Sequence, residues 1–354
     1  MKRLFVLVAI ILVVAGGATA QDLSGLGRDF EVVVESVGEQ LLGDLEQSAI
    51  WGQYPGMATY ADRSGFFFTI ATGALLTDGV LGFANDSDAF TVLNVPVIID
   101  GALANLPDQF RNQVTGLVTG METFFPVPIS RLAAGFVLPG DVEAMVEVGG
   151  FPQFLTGAIT SFAGLDGLVL NSLHVGTRVR KAVLNDAGPF PAISVGGGYA
   201  YTGLGLGYDL VAIGEPSGDY GLFPGSALGD LFVKGDLRMG STIHAFGLDL
   251  QASKAFGFFV PYLGISPYYH FASFSGEVDG FEAFLDYDGV DPDPDNPDAA
   301  YTGRTPATAW VDNDLSFVLF GGFEMIFGGF GLQIGSSWNV AKGSPGVTLN
   351  LRWQ

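Results

Sequence analysis

The chain has 354 residues, 52 of them glycine and none cysteine, and a formal charge of −22 from 15 Lys and Arg against 37 Asp and Glu. The surplus of carboxylates repels phosphate backbones and excludes nucleic acid as a partner. The missing thiols exclude disulfides, thiolate metal sites, a cysteine nucleophile and a lipid-modified N-terminal cysteine. Apolar residues at 48%, charged residues at only 15% and a high glycine count rule out a disordered chain. They fit a transmembrane β-barrel, in which one face of every strand meets lipid.

In chain order, Met1-Lys2-Arg3 is a basic start, Leu4 to Ala15 an apolar run and Gly16 to Ala20 a small-residue stretch. This is the three-part pattern of a secretory signal peptide, cleaved before Gln21. The apolar run falls short of the ~20 residues of a membrane-spanning helix. Export is therefore expected, with domains at 1–20 (signal), 21–62 (helix or plug) and 63–354 (barrel).

Residues 24–50 carry a helical period. Leu26, Phe30, Val33, Val37, Leu41 and Leu45 form one stripe, and Asp and Glu fill the other faces. Asp22 or Ser24 suits the N-cap. An acidic polar face disfavours anionic lipid surfaces. The helix is therefore expected at or inside the periplasmic mouth of the barrel, the alternative being a loose periplasmic helix.

From Ser64 the period becomes two. Val347, Leu349, Leu351 and Trp353 alternate with Thr348, Asn350, Arg352 and Gln354, which places the two sets on opposite faces of a strand. The same alternation runs through 142–148, 172–180, 231–239, 246–253 and 330–339. Strand candidates are long enough for the ~9–11 residues of a tilted crossing, and aromatics such as Phe66–Phe68, Tyr268-Tyr269, Trp338 and Trp353 lie near segment ends, as an interfacial girdle requires. The predicted fold is all-β, an antiparallel transmembrane barrel with an N-terminal amphipathic helix. Thirteen candidates appear, including 190–202 with 204–213 and 230–240 with 243–255. Pro96 marks 89–95 as an impostor, and closed barrels favour even counts, so about 12 strands are expected, with a range of about 10 to 14. Insertions at 97–120, 152–166 and 276–311 interrupt the wall, and the last is expected outside the cell.

The acidic helix running into Trp51 to Ala58, the strand Ser64 to Leu75, Val127-Pro128-Ile129-Ser130-Arg131-Leu132 through Glu147, the pair Leu173–Val183 and Phe190–Tyr201, and Phe259 to Gly264 together resemble an uncharacterised family of bacterial outer-membrane barrels. That family is loosely similar to the long-chain fatty-acid transporter barrels, which hold an N-terminal plug. The resemblance implies a barrel with porin-like or transport function. The Asn-Pro-Ala tripeptide that fatty-acid transporters carry near the mature N-terminus is missing.

By alternation, the lumen-facing charged set is Arg131, Glu143, Glu147, His174, Arg178, Arg180, Lys234, Asp236, Arg238, Asp249 and Arg352. Such a set either pairs internally or lines a polar pore, and Arg178 with Arg180 are placed to clamp a carboxylate. Catalysis has little support. Ser172 lies two residues from His174, Thr242 two before His244 and Ser266 four before His270, but no Gly-x-Ser-x-Gly or third orienting group is found. Asp286, Asp288, Asp291 and Asp293 supply oxygens for calcium, yet the glycine and glutamate of an EF-hand loop are misplaced and prolines keep the tract extended. No enzyme activity, cofactor or metal is expected.

The reading is a Gram-negative-type outer-membrane barrel that passes small hydrophobic molecules and is plugged from its N-terminus. The alternatives are a general diffusion porin and a structural or surface-interaction barrel without transport. Expected partners are outer-membrane lipid, the barrel-assembly machinery during biogenesis and a hydrophobic small-molecule ligand.

Overall fold

The computed structural model describes residues 65–78, 124–150, 168–209, 215–217, 220–226, 229–286, 299–303 and 308–354, together with Arg28, Val32, Glu35 and Ala58. Among the described residues thirteen strands are formed: β1 (Gly65–Asp78), β2 (Phe124–Leu138), β3 (Val142–Gly149), β4 (Leu168–Leu184), β5 (Ala192–Asp209), β6 (Glu215–Ser217), β7 (Tyr220–Ser226), β8 (Gly229–Ser253), β9 (Phe259–Asp286), β10 (Ala299–Gly303), β11 (Thr308–Phe327), β12 (Phe330–Asn339) and β13 (Pro345–Trp353). All pairings are antiparallel. Ten strands close the cylinder in the order β1-β2-β3-β4-β5-β8-β9-β11-β12-β13, with β13 returning to β1. Closure leaves no unpaired edge around the wall, the condition for a sheet to cross hydrocarbon. The short strands β6, β7 and β10 extend the pairing of β8 and β9 at one end.

Ten strands, not twelve, make the wall. The expected breaks near residue 203 and residues 241–242 do not exist: 192–202 and 204–209 belong to one strand, β5, and 230–240 and 243–253 to another, β8. Glycines and hydroxyl residues there mimic turns in sequence, but Gly203 pairs with Thr242 and Gly205 with Gly240 in unbroken register. The segment 89–95 and the insertions 97–120 and 152–166 lie outside the described residues. The insertion expected at 276–311 is shorter than its sequence suggests. Residues 276–286 continue β9 along β8, 308–311 open β11 against 273–276 of β9, and 287–298 lies outside the described residues. The signal segment is also outside them, and of the 24–50 helix only Arg28, Val32 and Glu35 are described, each helical in backbone.

The connections differ sharply between the two ends. At one end they are 139–141, 185–191, 254–258 and 328–329; at the other they include 79–123, 150–167 and 287–307, and only 340–344 is short. In the first turn Gly140 and Asp141 both take positive φ, 83° and 58°, a conformation that Gly and Asp tolerate best. The short turns are tied together. Lys254 Nζ bonds Asp186 and the Gly188 carbonyl, Asp186 Oδ2 accepts the Ala255 N–H at 2.7 Å, and Asn185 donates to Asp141 at 3.3 Å.

The wall is inside out relative to a water-soluble protein. Arg131, Glu143, Glu147, His174, Arg178 and Arg180 are buried, while Leu248, Val179, Leu132 and Phe136 are exposed. Each such apolar side chain gains ~1.5–3 kcal/mol when transferred from water to an apolar phase, so this outer face is built for hydrocarbon.

On β5, β8 and β9 the outward rows change character with distance from the short turns. The row Val195–Leu250–Ile265 is aliphatic, and beyond it come the aromatic rows Tyr199–Phe246–Tyr269 and Tyr201–His244–Phe271. The next two rows, Gly203–Thr242–Ser273 and Gly205–Gly240–Ser275, carry small or hydroxyl side chains, and the row after them is Gly207–Arg238–Glu277. A second aromatic set stands at the short-turn end, where Phe66 meets Phe136 at 5.4 Å and Phe330 meets Trp353 at 5.5 Å between ring centroids. Two aromatic belts flanking an apolar band are the signature of a barrel in a bilayer. No helix among the described residues is long and apolar enough to cross a membrane.

Candidate functional site: the barrel interior

In the short-turn half of the cylinder the inward positions carry charge, and the charges meet in groups. Arg131 from β2, Glu147 from β3 and His174 from β4 form one. Arg131 approaches Glu147 Oε1 at 3.4 Å, His174 Nε2–H donates to the same oxygen at 2.7 Å, and His174 Nδ1 shares a hydrogen bond with the Thr202 hydroxyl at 2.9 Å. A second group centres on Glu143, whose Oε2 accepts from Arg180 at 3.3 Å and from Arg352 at 3.1 Å. Arg352 also lies over the Phe67 ring, 3.9 Å from its centroid, a favourable cation–π contact. The third pair is Arg178 with Asp249 at 2.6 Å.

Neutral groups continue this floor. Asn350 donates to Gln333 Oε1 at 2.9 Å, and Gln333 donates to the Tyr262 hydroxyl at 2.6 Å. At the opposite end of β12, Asn339 donates to the Tyr268 hydroxyl at 2.9 Å. Arg131, Glu143, Glu147, His174, Arg178, Arg180, Asp249 and Arg352 are each 8% exposed or less. Burial of this kind is tolerated only because opposite charges face one another. Arg178 and Arg180 are thus engaged by Asp249 and Glu143, not held open side by side as a clamp.

Asp236 and Arg238 depart from the expected placement. Their side chains are 59% and 57% exposed, Arg238 stands 3.7 Å from Asp236 and 3.9 Å from Asp279, and it is Leu237 and Met239 that are buried. Lys234 is half-buried at a register shift between β8 and β9. The reason is depth. These residues lie beyond the aromatic rows, where the outside of the wall is water, so charge turns out and apolar groups turn in. Alternation in sequence separates two faces without telling which is wet.

Along β8 and β9 the inward face accordingly changes polarity. Asp249, Gln251 and Ser253 are inward near the short turns, and Leu237, Ile243, Phe274 and Val278 are inward toward the other end. Alternation alone places Leu237 and Met239 toward lipid; the switch of outer rows from aromatic to hydroxyl residues is the sequence signal that reverses them. The structure also places Ala58 inside: it is 1% exposed and its N–H donates to Ser253 Oγ at 2.8 Å. The helix stripe residues Leu26, Phe30, Val33, Val37, Leu41 and Leu45 lie outside the described residues.

Both ring nitrogens of His174 are taken, by Glu147 and Thr202, so Ser172 is not its partner. Among the described residues no group of His, Asp and Glu is arranged to hold a metal ion. Of the calcium candidates, Asp286 ends β9, and Asp288, Asp291 and Asp293 lie outside the described residues.

No family model and no curated protein matches the chain. Among solved structures it is similar to the translocator domain of the autotransporter NalP from Neisseria meningitidis, with 9% identity, a TM-score of 0.40 and coverage of 91% of this chain and 98% of that one. The transport unit of the autotransporter AIDA-I from Escherichia coli gives 8% identity, a TM-score of 0.27 and coverage of 90% and 99%. The Pseudomonas putida toluene transporter TodX gives 7% identity, a TM-score of 0.19 and coverage of 83% and 89%. With identities and scores this low, none of them assigns a function to this chain.

Proposed function

We propose that the chain is an outer-membrane barrel that admits small hydrophobic molecules into an apolar upper interior, above an ion-paired floor, with its N-terminal segment closing the periplasmic end. The observation that carries this reading is the polarity change on the inward face of β8 and β9, from Asp249 and Gln251 to Leu237, Ile243, Phe274 and Val278. The short turns then face the periplasm and the long connections the cell exterior, the usual arrangement of such barrels. Burial of Ala58 against Ser253 supports entry of the preceding segment through the short-turn end. A general diffusion porin is less well supported, because the inward charges are buried and paired instead of lining a wet path.

The test is a pair of measurements on the intact mature chain in a lipid bilayer. The proposal expects near-silent ion conductance together with saturable binding of a naphthalene-type fluorophore, weakened by Phe274→Asp. Deleting residues 22–50 is expected to raise conductance. A steadily conducting intact protein that ignores the fluorophore would make it a porin instead.

A further inference from the structure

The two hydroxyl and glycine rows on the outside of β5, β8 and β9 border a groove of about 420 Å³, flanked by Asn171 and Leu173 of β4 and by Tyr201. One water occupies ~30 Å³ of liquid, so this is a depression of molecular size. It opens outward, directly beyond the row Tyr201–His244–Phe271.

Among the described residues its lining holds no charged side chain; Arg238, one row beyond, stands beside Asp236 and Asp279, which offset its charge. The lining offers instead the hydroxyls of Thr242, Ser273 and Ser275, the Asn171 amide and the Tyr201 phenol, groups that both donate and accept hydrogen bonds. That is the complement of a sugar, whose hydroxyls do the same. The Tyr201 ring supplies an apolar surface for the C–H face of a pyranose. It is held by the neighbouring His244, 5.2 Å away edge to face, which in turn shares a 2.8 Å hydrogen bond with Tyr199.

Two of the three glycines that floor the groove, Gly205 and Gly240, give a separate indication, whereas a Cβ at Gly203 would meet the Tyr201 hydroxyl at 3.0 Å. A Cβ at Gly205 would meet nothing closer than 4.0 Å, and one at Gly240 nothing closer than 3.7 Å, with neither residue in the left-handed region. A larger residue would fit the wall and favour the strand. Gly196 on the inner face differs, since a Cβ there would meet Asp249 Oδ1 at 2.5 Å. Glycine inside a strand often marks a bulge, a bend or the close approach of another molecule, and the β5–β8 register runs through Gly205 and Gly240 without a bulge.

We infer that this groove binds the uncharged saccharide headgroup of a glycolipid in the outer leaflet, its acyl chains lying over exposed Phe246, Leu248 and Leu250. The assignment rests on the outer-membrane reading above. The groove stands where the outer face turns from aromatic to polar, the depth of lipid headgroups.

The experiment places the mature chain in nanodiscs containing diglucosyl-diacylglycerol or phosphatidylglycerol and counts retained lipids by native mass spectrometry. Wild type is expected to retain the glucolipid selectively. Gly205→Leu and Gly240→Leu are expected to lower retention by at least about tenfold, one decade in affinity, and Ser273→Ala with Ser275→Ala to lower it without adding bulk. Unchanged glucolipid retention in variants that insert normally would overturn the site. Equal affinity for free maltose would overturn its assignment to a lipid. Protease protection in the same nanodiscs reports insertion separately: failure of wild type to insert would count against the outer-membrane reading itself.

Discussion

Arg178 on β4 and Asp249 on β8 meet at 2.6 Å although β5 runs between their strands. The pair passes over Gly196 and Gly198, which stand opposite Asp249 and Arg178 respectively in the ladder. The absence of side chains on β5 is what lets two buried charges touch. Arg178→Leu leaves Asp249 uncompensated and is expected to cost ~3–5 kcal/mol. The double variant with Asp249→Leu is expected to recover most of that. Urea unfolding in lipid vesicles measures both, and additive losses would contradict the bridge.

Two glycines on opposite faces of β5, Gly196 and Gly205, should respond differently to a methyl group. Gly196→Ala drives a methyl group against the Asp249 carboxylate and is expected to cost ~1–3 kcal/mol. Gly205→Ala meets open space and is expected to stay within ~0.5 kcal/mol of wild type. The same unfolding assay separates the two, and equal effects would argue against the inward and outward assignments.

At the short-turn end, hydrogen bonds from Lys254 and from the Ala255 N–H hold the Asp186 carboxyl below its ordinary value of 3.8. A depressed acid stabilises the fold above its unfolded pKa and loses that contribution as pH falls through the folded value. Asp186→Asn should therefore lower stability at pH 7, within the ~0.2–1 kcal/mol of exposed pairs. The gap between variant and wild type should close once the pH lies below the folded value. Urea midpoints followed from pH 7 down through the acid range decide it; a gap that does not narrow as the pH falls below 3.8 points to another cause.

The membrane band gives a fourth expectation. Leu248→Arg puts a charge among outward aliphatic residues and should cost ~2–4 kcal/mol. Arg238→Leu, already in the polar rows, should change stability by less than ~0.5 kcal/mol. Similar costs for both would remove the depth distinction.

Much of the wall was legible in sequence because a strand with one face in lipid writes its two faces as alternate letters. Arg131, Glu143, Glu147, His174, Arg178, Arg180 and Asp249 stand on the inward face for that reason. Their partners were not legible, because pairing across strands such as Arg352 with Glu143, far apart in sequence, depends on the closure of the barrel. The strand count departs from expectation where Gly203 and Ser241-Thr242 look like turns. Those residues continue the ladder, with small side chains set by their depth. Asp236 and Arg238 were misplaced because the alternation rule assumes lipid outside, and β8 runs on past the lipid.

The most direct measurement exploits a chain with no native cysteine. Single cysteines replace Leu248, Thr242 and Arg238, carry nitroxide labels, and are compared for relaxation by oxygen, which concentrates in hydrocarbon, and by a water-soluble nickel chelate. The expected result is a graded reversal along β8: position 248 open to oxygen and closed to nickel, 242 intermediate, 238 open to nickel. Free access of nickel to all three would mean that water covers the whole outer face, and the account of a lipid-embedded barrel would fail.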